Sequence, residues 1–366
     1  MNRVRMGRYG GRQHSMTLTR EEKRRKAFRR GLGSTVGLLL LLGFGVYLFF
    51  GWWRGGAAAP RDETIDVAFS FGAEDIEVYH GMEILLNRAI EESGKPINVT
   101  YYFAYTDLER EAENIREAIR RDPDVLVVMP QDSQAIQKSI RAANSAGIPV
   151  IAYNRAPDPA QGAAPAAFVG LDTVDQAYTT SLVLFRRMVQ DGVPLKVINV
   201  MGNLVDRNAV NRNTGLRRAA REAGAEIVDS VETKWEPERA YELLTESLEE
   251  HPEATALFCA SDWLLSGVER ALKEHGRWHP YGHPQHIYVG SQDVFTVGAR
   301  LIREGYIDVA TAFDLWPMST TLVQTILAVV RGRELQQNVM LIPGRVITAE
   351  NIDSQLDLWH THLGER

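Results

Sequence analysis

Polar side chains gather where the apolar runs of this 366-residue chain stop. The stops are Ser70 to Asp75, Pro130 to Ser133, Asn154 with Arg155, Gly202 to Asn208, Trp235, Ser261 with Asp262, Gln292 with Asp293, and Phe313 with Asp314. Carboxylates, amides, a guanidinium and aromatic rings are what a polyol needs. Each hydroxyl donates and accepts, planar bidentate groups grip adjacent hydroxyls, and a ring covers the apolar face of a sugar. Catalytic motifs are missing by comparison. SFGAED, after the first apolar run, holds neither G-x-G-x-x-G nor a P-loop, and the chain has no G-x-S-x-G elbow and no H-E-x-x-H. No enzymatic activity and no cofactor are therefore expected. His279, His283 and His286 in WHPYGHPQH form the best candidate metal cluster, but the spacing crosses two prolines and meets no carboxylate before Asp293, so a polar loop is expected and no metal.

Bland roles compete for several of these residues. Asp75 and Asp262 each precede a helical stretch and are candidate N-caps. Trp235 is a candidate core residue, although the charged neighbours Lys234 and Glu236 favour a lobe surface. Arg155 is the hardest to assign to structure, because a lone guanidinium at an exported strand end adds little stability.

The elements that must position these residues alternate. TIDVAFSF, INVTYYF, DVLVVMP and IPVIAYN are separated by helical stretches at Asp75 to Ser93, Asp107 to Arg121 and Ser133 to Ala146. A second set, LKVINVM, AEIVDSVETKW, TALFCAS, HIYVGSQD and DVATAF, repeats the pattern. The expected fold is α/β, two doubly wound lobes of parallel sheet. Ligands of such sheets sit outside the strands' carboxyl ends, which is where the polar residues fall. APDPAQGAAPAA, residues 156–167, is expected to be a surface connection.

Charge separates the first thirty residues from the rest. They carry 11 Lys and Arg against 2 Glu, whereas the whole chain has a net charge of -6. An acidic body gives no footprint for nucleic acid. Between Arg30 and Arg54 no residue is charged, and 23 residues at about 1.5 Å each can cross a hydrocarbon core. The basic flank predicts a cytoplasmic tail over 1–31, an uncleaved transmembrane helix over 32–53 and an exported body. Signal-peptide cleavage near GGAAAP is the alternative. Cys259 is the only cysteine and sits in an apolar run, so it is expected to be a buried thiol.

The stretch DPDVLVVMPQDSQAIQKSIRAANSAGIPVIAYNRAP, residues 122–157, resembles periplasmic sugar-binding proteins of the ribose and xylose type. AAFVGLDTVDQA, VINVMG, EPERAYELLTESLEEHPEATALFCASDW and IYVGSQDVFTVGARLIREG continue the resemblance in family order, over about 64–345. It implies a type I periplasmic binding protein, with two lobes joined by three crossovers that close on a monosaccharide. The lobes would be 62–171 with 315–342, and 172–314 with 343–366. The resemblance further implies an ABC transporter permease as partner; a tethered sensor serving a histidine kinase or chemoreceptor is the alternative. Carried over by position, Asn154 and Arg155 stand where the family has Asp-Arg, Trp235 matches a pocket ring, and Asp293 or Gln292 an acidic site residue. Asp262 lies in a segment that supplies another polar contact, GSQD and the Asn208-Ala209 step after Asp206 are similar to the xylose-binding branch, and Asp314 lies near the hinge. Asn154 in place of Asp removes a charge-assisted hydrogen bond. The opening loop departs most, since Glu74 and Asp75 replace aromatic cover with charge.

Overall fold

The computed structural model describes residues 64–72, 77–162, 164–333, 335 and 337–355. The expected tail and transmembrane helix, Glu74 and Asp75 lie outside the described residues. Among the described residues no helix is long and apolar enough to cross a membrane.

The first sheet collects β1 (Ile65–Phe71), β2 (Ile97–Phe103), β3 (Val125–Met129), β4 (Val150–Tyr153), β5 (Ala167–Leu171) and β11 (Val339–Ile342), in the order β11-β5-β4-β3-β1-β2. The second collects β6 (Lys196–Met201), β7 (Glu226–Glu232), β8 (Ala256–Cys259), β9 (Tyr288–Asp293), β10 (Val309–Ala312) and β12 (Val346–Ile347), in the order β12-β10-β9-β8-β6-β7. The two orders follow one plan, and the two expected lobes of parallel sheet are present. The chain passes between the sheets three times: after β5, after β10 and between β11 and β12.

Side-chain pattern explains each strand's place. In β3, VLVVM is buried throughout, as a central parallel strand covered on both faces must be. The edge strand β2, INVTYYF, alternates partly buried with exposed positions over its first half. Helices α1 (Glu77–Ser93), α2 (Leu108–Arg120), α3 (Gln137–Ser145) and α9 (Leu315–Val330) accompany the first sheet. Helices α4 (Thr173–Gln190), α5 (Arg207–Ala223), α6 (Pro237–Glu250), α7 (Leu265–Glu274) and α8 (Thr296–Arg303) accompany the second. Leu315, Met318, Leu322 and Ile326 pack α9 into a core with Phe69, Phe71 and Val127, so this helix returns the chain to the first lobe.

Three expectations change. Each sheet has more strands than the alternating pattern suggested: β5 follows the 156–167 connection and pairs with both β4 and β11, and β11 and β12 are edge strands reached after crossovers; β12 also runs antiparallel to β10. Helix α3 starts at Gln137 rather than Ser133, since Ser133 is used across the lobes. Residues 156–167 contain a short 3-10 turn at Pro159–Gln161, capped by Asp158. Cys259 is buried as expected, and burial pushes its thiol up to about 12.

The His-rich loop closes the far end of the second lobe. The Nδ1 of His286 lies 2.7 Å from the His279 carbonyl, and its Nε2 lies 3.1 Å from an Asp308 carboxylate oxygen. Both ring nitrogens face acceptors, so the geometry calls for imidazolium. Burial lowers the His286 pKa, the Arg187 charge opposes protonation as well, and the hydrogen bonds and charge of Asp308 outweigh both, leaving the pKa raised. A raised folded-state pKa stabilises below the ordinary histidine value and loses that stabilisation as pH rises through the folded value. Scanning calorimetry from pH 6 to 9 should therefore show the wild type losing stability relative to His286→Gln. A constant difference between the two would remove the imidazolium.

Candidate functional site

The carboxyl ends of both sheets face a cleft of about 460 Å³, lined from the first lobe by Tyr79, Thr106, Gln131, Asn154 and Arg155. The second lobe contributes Asn203, Asp206, Asn208, Arg212, Lys234, Trp235, Glu236, Ser261, Trp263, Asp293 and Phe295, with Phe313 at a crossover.

Backbone strain marks the cleft. Asn154, after β4, has φ 58°, and Asp293 and Val294, at the end of β9, have φ 90° and 55°. Tyr105 and Thr106 after β2, and Lys234 and Trp235 after β7, form left-handed pairs at equivalent places in the two lobes. Such conformations cost about 1–3 kcal/mol each and persist where the surroundings hold them.

Arg155 is not the lone guanidinium expected. Its Nε lies 2.9 Å from Asp206 Oδ2 on the other lobe, with the two side chains 10% and 3% exposed. Its remaining nitrogens reach Pro130 O at 3.3 Å, Gln131 Oε1 at 3.4 Å and Tyr79 Oη at 3.2 Å. Burial raises the Tyr79 phenol above its ordinary pKa, leaving a neutral hydroxyl beside the guanidinium. Beneath this corner, burial pushes Glu111 up to about 7, while the Gln131 amide N–H that it accepts and the Arg155 charge hold it down.

A second buried pair lies across the second lobe. Arg212 on α5 reaches Asp293 Oδ1 at 2.5 Å and Oδ2 at 3.4 Å, and Nη1 donates to Ala260 O at 2.7 Å. Ser261 Oγ donates to the same carboxylate at 2.5 Å. Among the described residues, the Nε of Arg212 is buried without a hydrogen-bond partner. Trp235 lies over Gly202, where a Cβ would come within 2.1 Å of the indole, so only glycine admits the ring there. The indole Nε1 donates to Asp206 Oδ2 at 3.2 Å.

Of the residues expected from sequence, Asn154, Arg155, Asn208, Trp235 and Asp293 converge on the cleft. Three others do not line it. Asp262 is behind the cleft: one carboxylate oxygen bonds Ser291 Oγ and the other accepts the Phe295 amide at 2.9 Å. Nor is it a cap, because Ser261 Oγ accepts the Trp263 N–H. Burial pushes Asp262 up to about 8, with the like charge of Asp293 adding to the rise against opposing hydrogen bonds from Ser291 and Phe295. Gln292 donates instead to Thr180 on α4, at 2.9 Å. Asp314 holds Arg345 Nε at 2.6 Å and Nη2 at 2.7 Å, tying the second crossover to the third. Sequence reasoning missed Arg212 and Tyr79, which sit inside helices rather than at strand ends. Arg212 had one readable signal, a position four after Asn208 on the same helical face.

Residues 67–334 match the periplasmic binding protein domain family, and the chain belongs to it. The family and its relatives are solute-binding proteins rather than enzymes, and membership implies an extracytoplasmic location. A D-ribose/D-allose-binding protein of Pseudomonas aeruginosa is 30% identical over 47% of this chain, and the match spans 54% of that relative. A putative rhizopine-binding protein of Rhizobium meliloti is 23% identical over 81% of this chain and 96% of its own length. Among solved structures, an ABC transporter periplasmic solute-binding protein of Actinobacillus succinogenes with bound D-allose superposes with a TM-score of 0.69. It shares 20% identity and covers 80% of this chain and all of its own.

Proposed function

We propose that the cleft binds a neutral monosaccharide or similar polyol, and that the chain is the substrate-binding component of a sugar ABC transporter. One observation carries this reading: the buried charges of the cleft are already paired, Arg155 with Asp206 and Arg212 with Asp293. A fully charged ligand would leave its own charge uncompensated, whereas hydroxyls can use the amides, the hydroxyls and the remaining guanidinium N–H groups. The cleft's size is that of a small-molecule site. The relatives named for ribose, allose and rhizopine, and the allose-bound structural neighbour, support the same class. Asn154, Arg155, Asn208, Trp235 and Asp293 are the proposed ligand contacts among the residues read from sequence, with Glu74 and Asp75 at the opening loop. The charge-free segment 32–53 is proposed as a membrane anchor behind a cytoplasmic tail, and the basic tail favours a sensor as the second reading.

Titration calorimetry on the full chain in detergent, with D-ribose, D-allose, D-xylose and myo-inositol, tests the proposal. One of them is expected to bind with favourable enthalpy and to raise the melting temperature. Four silent titrations with an unmoved melting curve would overturn it.

A further inference from the structure

Arg155 and Asp206 belong to different lobes, and each is held in place by its own. Tyr79, Pro130 and Gln131 fix the guanidinium within the first lobe. In the second lobe, Asp206 Oδ1 caps α5 by accepting the Asn208 N–H at 2.8 Å, and Oδ2 accepts the Trp235 indole N–H at 3.2 Å. Of the contacts these two side chains make, the Nε to Oδ2 contact, at 2.9 Å, is the one that joins the lobes. Each group therefore has partners within its own lobe besides the contact that joins the two. Further bonds join the same two regions: Ser133 N to Val205 O at 3.1 Å, Arg207 N to Ser133 Oγ at 3.1 Å, and Asn208 Nδ2 to Asn154 O at 3.2 Å and Oδ1 at 3.4 Å.

We propose that Asp206 is a closure latch: a positioning residue that joins Arg155 to Trp235 across the cleft only when the lobes are together. This rests on the reading of the cleft as a sugar site and deepens it. Four of the five Arg155 N–H groups are engaged by protein, one of them by Asp206, so a single N–H is left to meet a sugar hydroxyl. The Coulomb attraction of a buried pair is largely offset by desolvation, so the pair is weak as a closing force by itself. Losing one member is a different matter, because the survivor is then buried unpaired in the closed state alone, while in the open state water solvates it. Substitution therefore penalises closure selectively, and a sugar that binds only the closed form leaves faster.

A double-mutant cycle on the full chain in detergent tests the latch, using Arg155→Gln, Asp206→Asn and both together, with whichever of D-ribose, D-allose and myo-inositol binds the wild type most tightly. Asparagine caps helices as well as aspartate does, so α5 is retained. Each single change is expected to weaken binding by about 30-fold or more, mainly through faster dissociation. The double variant should lose at least about tenfold less than the product of the singles. Spin labels at Glu113→Cys on α2 and Glu246→Cys on α6, both exposed, report the distance between the lobes. Asp206→Asn is expected to show a smaller closed fraction than wild type, with sugar and without. Losses that multiply in the double variant, or closed fractions equal to wild type, would overturn the latch while leaving the sugar reading intact. If neither these three compounds nor D-xylose binds the wild type, the sugar reading fails, and the distance distributions without sugar decide the latch alone.

Discussion

Arg212→Met is expected to destabilise the protein by about 3–5 kcal/mol and to abolish measurable sugar binding. Arg212 and Asp293 are each 4% exposed at the side chain, and the guanidinium covers both carboxylate oxygens. Methionine fills most of the arginine stem but supplies no charge, so Asp293 would remain buried with only the Ser261 hydroxyl as donor. It must then take up a proton or draw in water, at a position where β9 already ends in a strained conformation, φ 90° at Asp293. The melting temperature should fall by roughly 6–15 °C. Adding Asp293→Asn should recover part of that loss, because the stranded charge is gone, but should not restore binding. A single variant melting within about a degree of wild type would mean that the pair carries no stability.

Trp235→Ala should weaken sugar binding by about 30- to 1,000-fold, or roughly 2–4 kcal/mol, while the fold survives. The ring is only partly buried and rests on Gly202, so its removal opens the cleft rather than the core. What is lost is the surface that would stack on the apolar face of a sugar, together with the indole N–H given to Asp206. Trp235→Phe separates the two contributions. It keeps a ring and lacks the N–H, and its deficit should be the smaller, near the value of one hydrogen bond to a charged group, about 1.5–3 kcal/mol. Calorimetric titration of the wild type and both variants with one sugar decides it, and equal affinity for Trp235→Ala and wild type would place the ligand elsewhere.

Much of the fold was legible because its strongest signals are local. VLVVM in β3 cannot face water on either side, and LEREAENIREAIR after Asp107 is an amphipathic helix with its cap in place. Of the strands that were not read, β5, AFVGL, is apolar and mostly buried and carried a local signal, whereas β11 and β12 did not. β11 has two of its four residues exposed, and β12 is two residues long, so both owe their pairing to where the crossovers deliver them.

The chain's own pattern determined two parallel-sheet lobes, a polar cleft at the strands' carboxyl ends and the membership of Asn154, Arg155, Asn208, Trp235 and Asp293 in it. Alternation of strand and helix dictates which end of each strand is polar, and that end is where an open sheet leaves room for a ligand. Only the tertiary structure decided what each of these groups faces. Gln292 stands beside Asp293 at the end of β9 yet points to Thr180, because successive strand residues turn to opposite faces of the sheet, and Asp262 follows Ser261 into a 3-10 turn that carries it to Ser291. Arg155 and Asp206 are 51 positions apart and on different lobes, so their pairing is written in no local pattern. It follows from closure, which brings two charges together out of water and makes each the partner the other requires.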